Sequence, residues 1–140
     1  MNWQFLVAAL LTVAGGSLHF YTFEVWIWPK LKPEAFPSFP FGDSYAVMTF
    51  YRIVWHFFTV VFILTASSLF LMTFTLTVKD PAFLARFIAL FWIGNIVVSL
   101  ILPYLGLRPG DSYLKSITKA FQWVVMLVMV ILMLWGSTRY

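Results

Sequence analysis

The chain has 140 residues, no cysteine and a formal net charge of +4, with 62% hydrophobic and only 10% charged residues. A soluble domain carries about 45–50% apolar and about 25% charged residues, so these charges cannot cover a globular surface in water, and the composition predicts an all-α integral membrane protein. The lack of cysteine excludes disulfides, thiolate catalysis, cysteine-ligated zinc and iron–sulfur clusters, and a charge this small fits membrane topology and anionic lipid contact rather than nucleic-acid binding.

A spanning helix needs about 20 mostly apolar residues, and four stretches qualify. The first, about residues 3–28, is WQFLVAALLTVAGGSLHFYTFEVWIW and is expected to stop at Pro29. It lacks a basic n-region, so it is read as a retained helix and not as a signal peptide. The second covers about 45–78 and includes FFTVVFILTASSLFLMTF. The third, about 82–102, is bracketed by Pro81 and Pro103. The fourth, about 113–136, contains AFQWVVMLVMVILMLW. Uninterrupted apolar runs favour helices over barrel strands, which would alternate at every second residue. The fold class expected is a four-transmembrane-helix bundle forming a single transmembrane domain over residues 1–140.

Four crossings put both termini and the short TVKDP turn on one side. The long connection PKLKPEAFPSFPFGDS, which is rich in proline and phenylalanine, falls on the other side with PYLGLRPGDS. The latter side carries Lys30, Lys32, Arg108, Lys115 and Lys119, against Lys79, Arg86 and Arg139 on the terminal side. The positive-inside tendency assigns the long loops to the cytoplasm.

The tetrapeptide GDSY occurs twice, at Gly42–Tyr45 and Gly110–Tyr113, each time before an apolar run. Asp or Ser there can accept hydrogen bonds from the first free amides of a helix. Aligning the two copies pairs Trp55 with Trp123, but it sets His19, Glu24, Arg52 and His56 opposite Phe87, Trp92, Ala120 and Val124. The repeat is therefore read as two helix starts and not as a duplicated site.

Those starts serve as a ruler. At a rise of 1.5 Å per residue, His19, Glu24, Arg52, His56, Asn95 and Gln122 are expected in one half of the membrane, as a buried polar cluster. Ionisable groups at such depth are costly unless paired or hydrated. Glu24 is the one carboxylate at that level, and Arg52 is its natural partner. Arg52 and His56, four apart, share a helix face. His19 and Glu24, five apart on an α-helix, do not. Three readings follow. The first is a structural cluster that bonds helices together. The second is a haem b site with His19 and His56 as axial ligands. The third is a pocket for a quinone, sterol or other lipid, with His19 or Glu24 as acid or base. Met126, Met129 and Met133 are read as packing residues, and Gly15, Gly16, Gly94 and Ser99 as close-approach points between helices.

LHFYTFEVWIW followed by YRIVWHFF resembles a group of small bacterial four-helix inner-membrane proteins. These have a late His and Glu in helix one and an R-x-x-W-H segment in helix two. The likeness covers helices one and two and implies a fold and an inner-membrane location, not an activity. HFYTFE also resembles the sterol-isomerase and sigma-2-receptor type of four-helix domain. That family uses additional membrane carboxylates, where this chain has only Glu24.

The expectation from sequence is a non-enzymatic accessory or assembly subunit, bound to the bilayer and to a larger membrane complex or to further copies of itself. No catalytic or metal-ligating set is identified. The alternative is a haem b- or quinone-binding redox component, or a small enzyme acting on a lipid-like substrate.

Overall fold

Helix starts in this chain are written by short polar side chains, as the computed structural model shows; it describes residues 1–38, 42–74, 77–105, 112–114 and 122–140. Helix α1 (Trp3–Tyr21) begins at Asn2, whose Oδ1 accepts from the Phe5 amide at 3.3 Å. Helix α2 (Ser44–Phe74) begins at Asp43, whose Oδ1 accepts from the Ala46 amide at 2.8 Å. Helix α3 (Pro81–Leu105) begins at Asp80, whose Oδ1 accepts from the Phe83 amide at 2.8 Å. Each oxygen satisfies an amide that has no partner inside its helix. Pro81 at the first helical position loses nothing by lacking an N–H. The last helix, α4, runs from Gln122 to Ser137. No strand element occurs among the described residues.

Three helical stretches are long and apolar enough to cross a membrane: Trp3–Lys30, Ser44–Phe74 and Pro81–Ile101. The described part of helix α4, at 16 residues, is shorter. Tyr113 and Leu114 are helical, whereas residues 115–121 of the expected fourth stretch lie outside the described residues.

Three boundaries differ from the sequence reading. The first helix does not stay α-helical to Trp28. It switches at Thr22 to a π-helix (Thr22–Ile27) and then to a 3₁₀ turn (Trp28–Lys30). Helix α2 is described to Phe74, and Thr77 and Val78 are not helical. The chain there must leave room for the Asp80 cap, and β-branched residues hold a helix end poorly. Helix α3 passes through Pro103 to Leu105. A proline two residues from a helix end removes one donor from the final turn and leaves the preceding ladder intact.

The chain packs as two compact units. One comprises Thr12–Thr65, and its centre is Phe23, fully buried, with Met48 and Phe62. Gly15 and Gly16 lie against the Phe62 side chain; a Cβ at Gly16 would stand 2.8 Å from Phe62 Cβ. Glycine is needed here for close helix approach. Near the start of α2, Ser44 Oγ donates to the Phe36 carbonyl at 2.8 Å, tying the proline-rich connection to the helix.

The other unit comprises Met1–Leu11 and Ala66–Tyr140. Phe5, Leu69, Trp92, Met129 and Met133 form its buried interior, so two of the three methionines act as packing residues, as their spacing suggested. Asn2 Nδ2 donates to the Gly136 carbonyl at 2.9 Å, and the Tyr140 hydroxyl donates to the Met72 carbonyl at 3.1 Å. Arg86 Nε donates to Ser137 Oγ at 3.3 Å. Gln4 is completely buried, and its side-chain amide has no hydrogen-bond partner among the described residues.

Candidate functional site

The polar side chains that carry chemistry converge on the π-helical turn. In a π-helix the backbone bonds reach five residues back, and the Trp28 amide accordingly donates to the Phe23 carbonyl. Each residue then advances less around the axis than in an α-helix. The five-residue step from His19 to Glu24 therefore brings Glu24 toward the same neighbour as His19, the first part of α2, where an α-helical step would turn it away. Such turns are rare and often sit at functional positions.

Glu24 is the hub. Its Oε1 accepts from Arg52 Nε at 3.0 Å and its Oε2 from Arg52 Nη2 at 2.6 Å, a two-point pairing along one edge of the guanidinium. Charge-assisted pairs of this geometry fix orientation as well as adding energy. Oε1 also meets His56 Nε2 at 2.8 Å. Because a carboxylate only accepts, His56 carries a proton on Nε2. The Arg52 guanidinium carbon lies 4.5 Å from the Trp28 ring centroid, a cation–π contact. Arg52 and His56 do share a face, and that face meets Glu24.

His19 forms a second, adjoining arrangement. Its Nε2 lies 3.2 Å from the Trp55 carbonyl, and Trp55 Nε1 donates back to the His19 carbonyl at 3.3 Å. The two rings stack at 4.5 Å between centroids and 9° between planes. Phe23 stacks on Trp55 at 4.7 Å and meets His56 edge-on at 5.6 Å. A carbonyl only accepts, so His19 too carries its proton on Nε2.

These contacts bear on the haem reading. A haem ligated by both histidines needs two imidazole nitrogens directed at one iron. Here each Nε2 points at a protein acceptor, and the His19 ring lies flat on Trp55. The residues present do not fit a bis-histidine haem. Among the described residues no group of three His, Cys, Asp or Glu side chains is placed to hold a metal ion.

Of the six residues expected in the polar layer, His19, Glu24, Arg52 and His56 belong to the Thr12–Thr65 unit. Asn95 and Gln122 belong to the other. Asn95 Nδ2 donates to the Phe91 carbonyl of its own helix at 3.0 Å, and Gln122 is exposed at the start of α4. Three participants escaped the sequence reading: Trp28, Trp55 and Phe23. Trp28 stands four residues after Glu24, and Trp55 immediately precedes His56. Both carried a usable signal, because an aromatic beside a buried ion pair is well placed to shield it. Phe23 carried none.

Comparison with family models, curated proteins and solved structures finds no match to this chain. Its function is therefore argued from its own residues.

Proposed function

We propose that this chain is a small, non-enzymatic integral membrane protein, an accessory or assembly subunit that packs against a larger membrane complex or against further copies of itself. The Glu24–Arg52–His56 cluster serves as an internal clasp between the end of the first span and the start of the second. The observation that carries this reading is the commitment of the reactive atoms to one another. Both carboxylate oxygens of Glu24 and the Nε2 atoms of both histidines are engaged inside the protein, as a structural cluster that bonds two helices together requires. Inside a bilayer such satisfaction is what makes ionisable groups tolerable.

A packing surface is at hand. Phe50, Ile53, Phe57, Val60 and Leu64 recur along α2 at three- and four-residue spacing, and all are exposed. Four crossings would put both termini on one side. The positive-inside tendency favours a cytoplasmic position for the long loops, in a bacterial inner membrane.

Two measurements test this. Alkaline carbonate should leave the chain in the membrane pellet, and release would remove the membrane reading. In mild detergent the chain should co-purify with a defined larger partner or as an oligomer. Isolation as a monomer that yields no crosslinked product would overturn the subunit reading.

A further inference from the structure

The clasp uses only one edge of Arg52. A guanidinium has five N–H donors in a rigid fork. Glu24 takes one on Nε and one on Nη2. The end-on fork, one hydrogen each on Nη1 and Nη2, and the remaining Nη1 hydrogen have no acceptor among the described residues. It is also accessible, since the Arg52 side chain keeps 41% of its surface open, against 20% for Glu24. Water can satisfy such donors at an aqueous surface. In hydrocarbon each unsatisfied donor costs several kcal/mol, so the open donors favour a level where water or lipid oxygens can accept from them.

The depth of Arg52 narrows its chemistry; this step rests on the membrane reading above. Helix α2 has 31 residues and is therefore about 46 Å long, against about 30 Å of hydrocarbon. Centred, it projects about 8 Å at each end. Arg52 lies about 12 Å along it by the helical rise, so its Cα sits only about 4 Å below the hydrocarbon edge. An arginine side chain spans that distance by snorkelling. The groups at that level are the ester carbonyls and phosphates of the lipids. Trp28 covers the guanidinium face at 4.5 Å, and Lys30 and Lys32 follow it on the exposed connection. Arg52 is thus held by a carboxylate on one edge and an indole on one face, which leaves its other edge open. Bidentate capture of a phosphate is the interaction for which arginine is better suited than lysine.

We infer that the open edge of Arg52, oriented by Glu24 and Trp28 and flanked by Lys30 and Lys32, is a binding site for the phosphate group of an anionic phospholipid. Glu24 neutralises Arg52 itself, so Lys30 and Lys32, offset in part by Glu34 on the same connection, supply the net attraction and the fork supplies the recognition.

The test is native mass spectrometry of the full chain in mild detergent, titrated separately with phosphatidylglycerol, with diacylglycerol of the same acyl chains and with inorganic phosphate. Phosphatidylglycerol should be retained one to one, and diacylglycerol about tenfold less or weaker, as expected for the loss of a charge-assisted hydrogen bond. Arg52→Lys keeps a charge for Glu24 but loses the fork, and should lower phosphatidylglycerol retention about tenfold on the same basis. Arg86→Lys should not change it. Equal retention of the two lipids by the native chain overturns the site without any variant, and so does undiminished retention by Arg52→Lys. Retention of inorganic phosphate equal to that of the lipid overturns the lipid assignment. Failure of lipid selectivity in a chain that resists carbonate extraction removes this site and leaves the membrane reading standing.

Discussion

Glu24 and Arg52 meet edge to edge, with Nε 3.0 Å from Oε1 and Nη2 2.6 Å from Oε2, across 28 residues of sequence. One partner lies on a π-helical turn and the other in the third turn of α2. The pair therefore fixes how those two elements stand to each other. Removing one partner leaves an uncompensated charge, which is far costlier than removing both. Glu24→Gln should lower stability by about 1–3 kcal/mol, between the cost of losing an exposed pair and that of breaking a buried one, because Arg52 is partly open. Glu24→Gln combined with Arg52→Gln should recover much of the loss. Thermal melts in detergent, read as a double-mutant cycle, check this. Additive losses would show that the pair does not couple.

The glycines should respond by position and not by type. At Gly16 a Cβ would stand 2.8 Å from Phe62 Cβ, an atom close to its own backbone with little room to give. Gly16→Ala should destabilise by about 1–3 kcal/mol, the usual cost of overpacking. At Gly15 the nearest atom is Phe62 Cε1 at 3.2 Å, a ring edge that rotates more easily, so Gly15→Ala should cost less. At Gly94 a Cβ meets nothing within 4 Å. There alanine should stabilise by up to about 1 kcal/mol through helix propensity alone. Melting temperatures of the three variants in one detergent give the order directly.

Part of this arrangement was readable in the sequence, and the limit is physical. The scarcity of carboxylates pairs Glu24 with Arg52 without any structure, because a lone buried acid needs the nearest cation. The i, i+4 rule puts Arg52 and His56 on one face. Asp43 and Asp80 can be read as helix starts because a cap is a local interaction. The π-helical turn cannot be read this way. It depends on backbone bonds shifting by one residue, which TFEVWI does not announce, and the shift reverses the inference that His19 and Glu24 look in different directions. The stop expected at Pro29 misplaced the α-helix end for the same reason. Proline marks where the ladder loses a donor, but not where a helix changes its winding. How Asn95 and Gln122 stand to the other four depends on tertiary packing, which periodicity does not encode.

The imidazoles should prove structural. The purified chain should show no Soret band, and adding haem should not produce one that His19→Ala or His56→Ala abolishes. His56→Ala should still cost about 1–3 kcal/mol, since it leaves Glu24 Oε1 with one partner fewer. Trp55→Phe keeps most of the ring stack but deletes the indole donor to the His19 carbonyl, so about 1 kcal/mol is expected. A Soret band lost on substituting either histidine would reinstate the haem reading.

Trp28 separates aromatic bulk from charge contact. Trp28→Phe retains a weaker face for Arg52, and Trp28→Leu retains none. The leucine variant should lose about 1 kcal/mol more than the phenylalanine variant, the size of a partly desolvated cation–π contact. Repeating both in an Arg52→Gln background should erase the difference. A difference that survives would assign the role of Trp28 to packing alone.

Gln4 offers the sharpest reversal of ordinary expectation. It is wholly buried, and neither its amide nitrogen nor its amide oxygen has a hydrogen-bond partner among the described residues. A buried polar group left unpaired carries its full desolvation cost, about 1–3 kcal/mol. Methionine has a similar length and volume without that cost, and it adapts to irregular space. Gln4→Met should therefore stabilise the chain by about 1–3 kcal/mol on that account, in contrast to most core substitutions, which destabilise. The readout is the melting temperature in detergent, with Gln4→Glu as the opposite control. The control places a charge where the amide is already uncompensated, and it should destabilise strongly at neutral pH. If Gln4→Met lowers the melting temperature instead, the amide holds a partner, a bound water or a polar group of a neighbouring molecule, and the buried end of the first helix becomes a contact site in its own right.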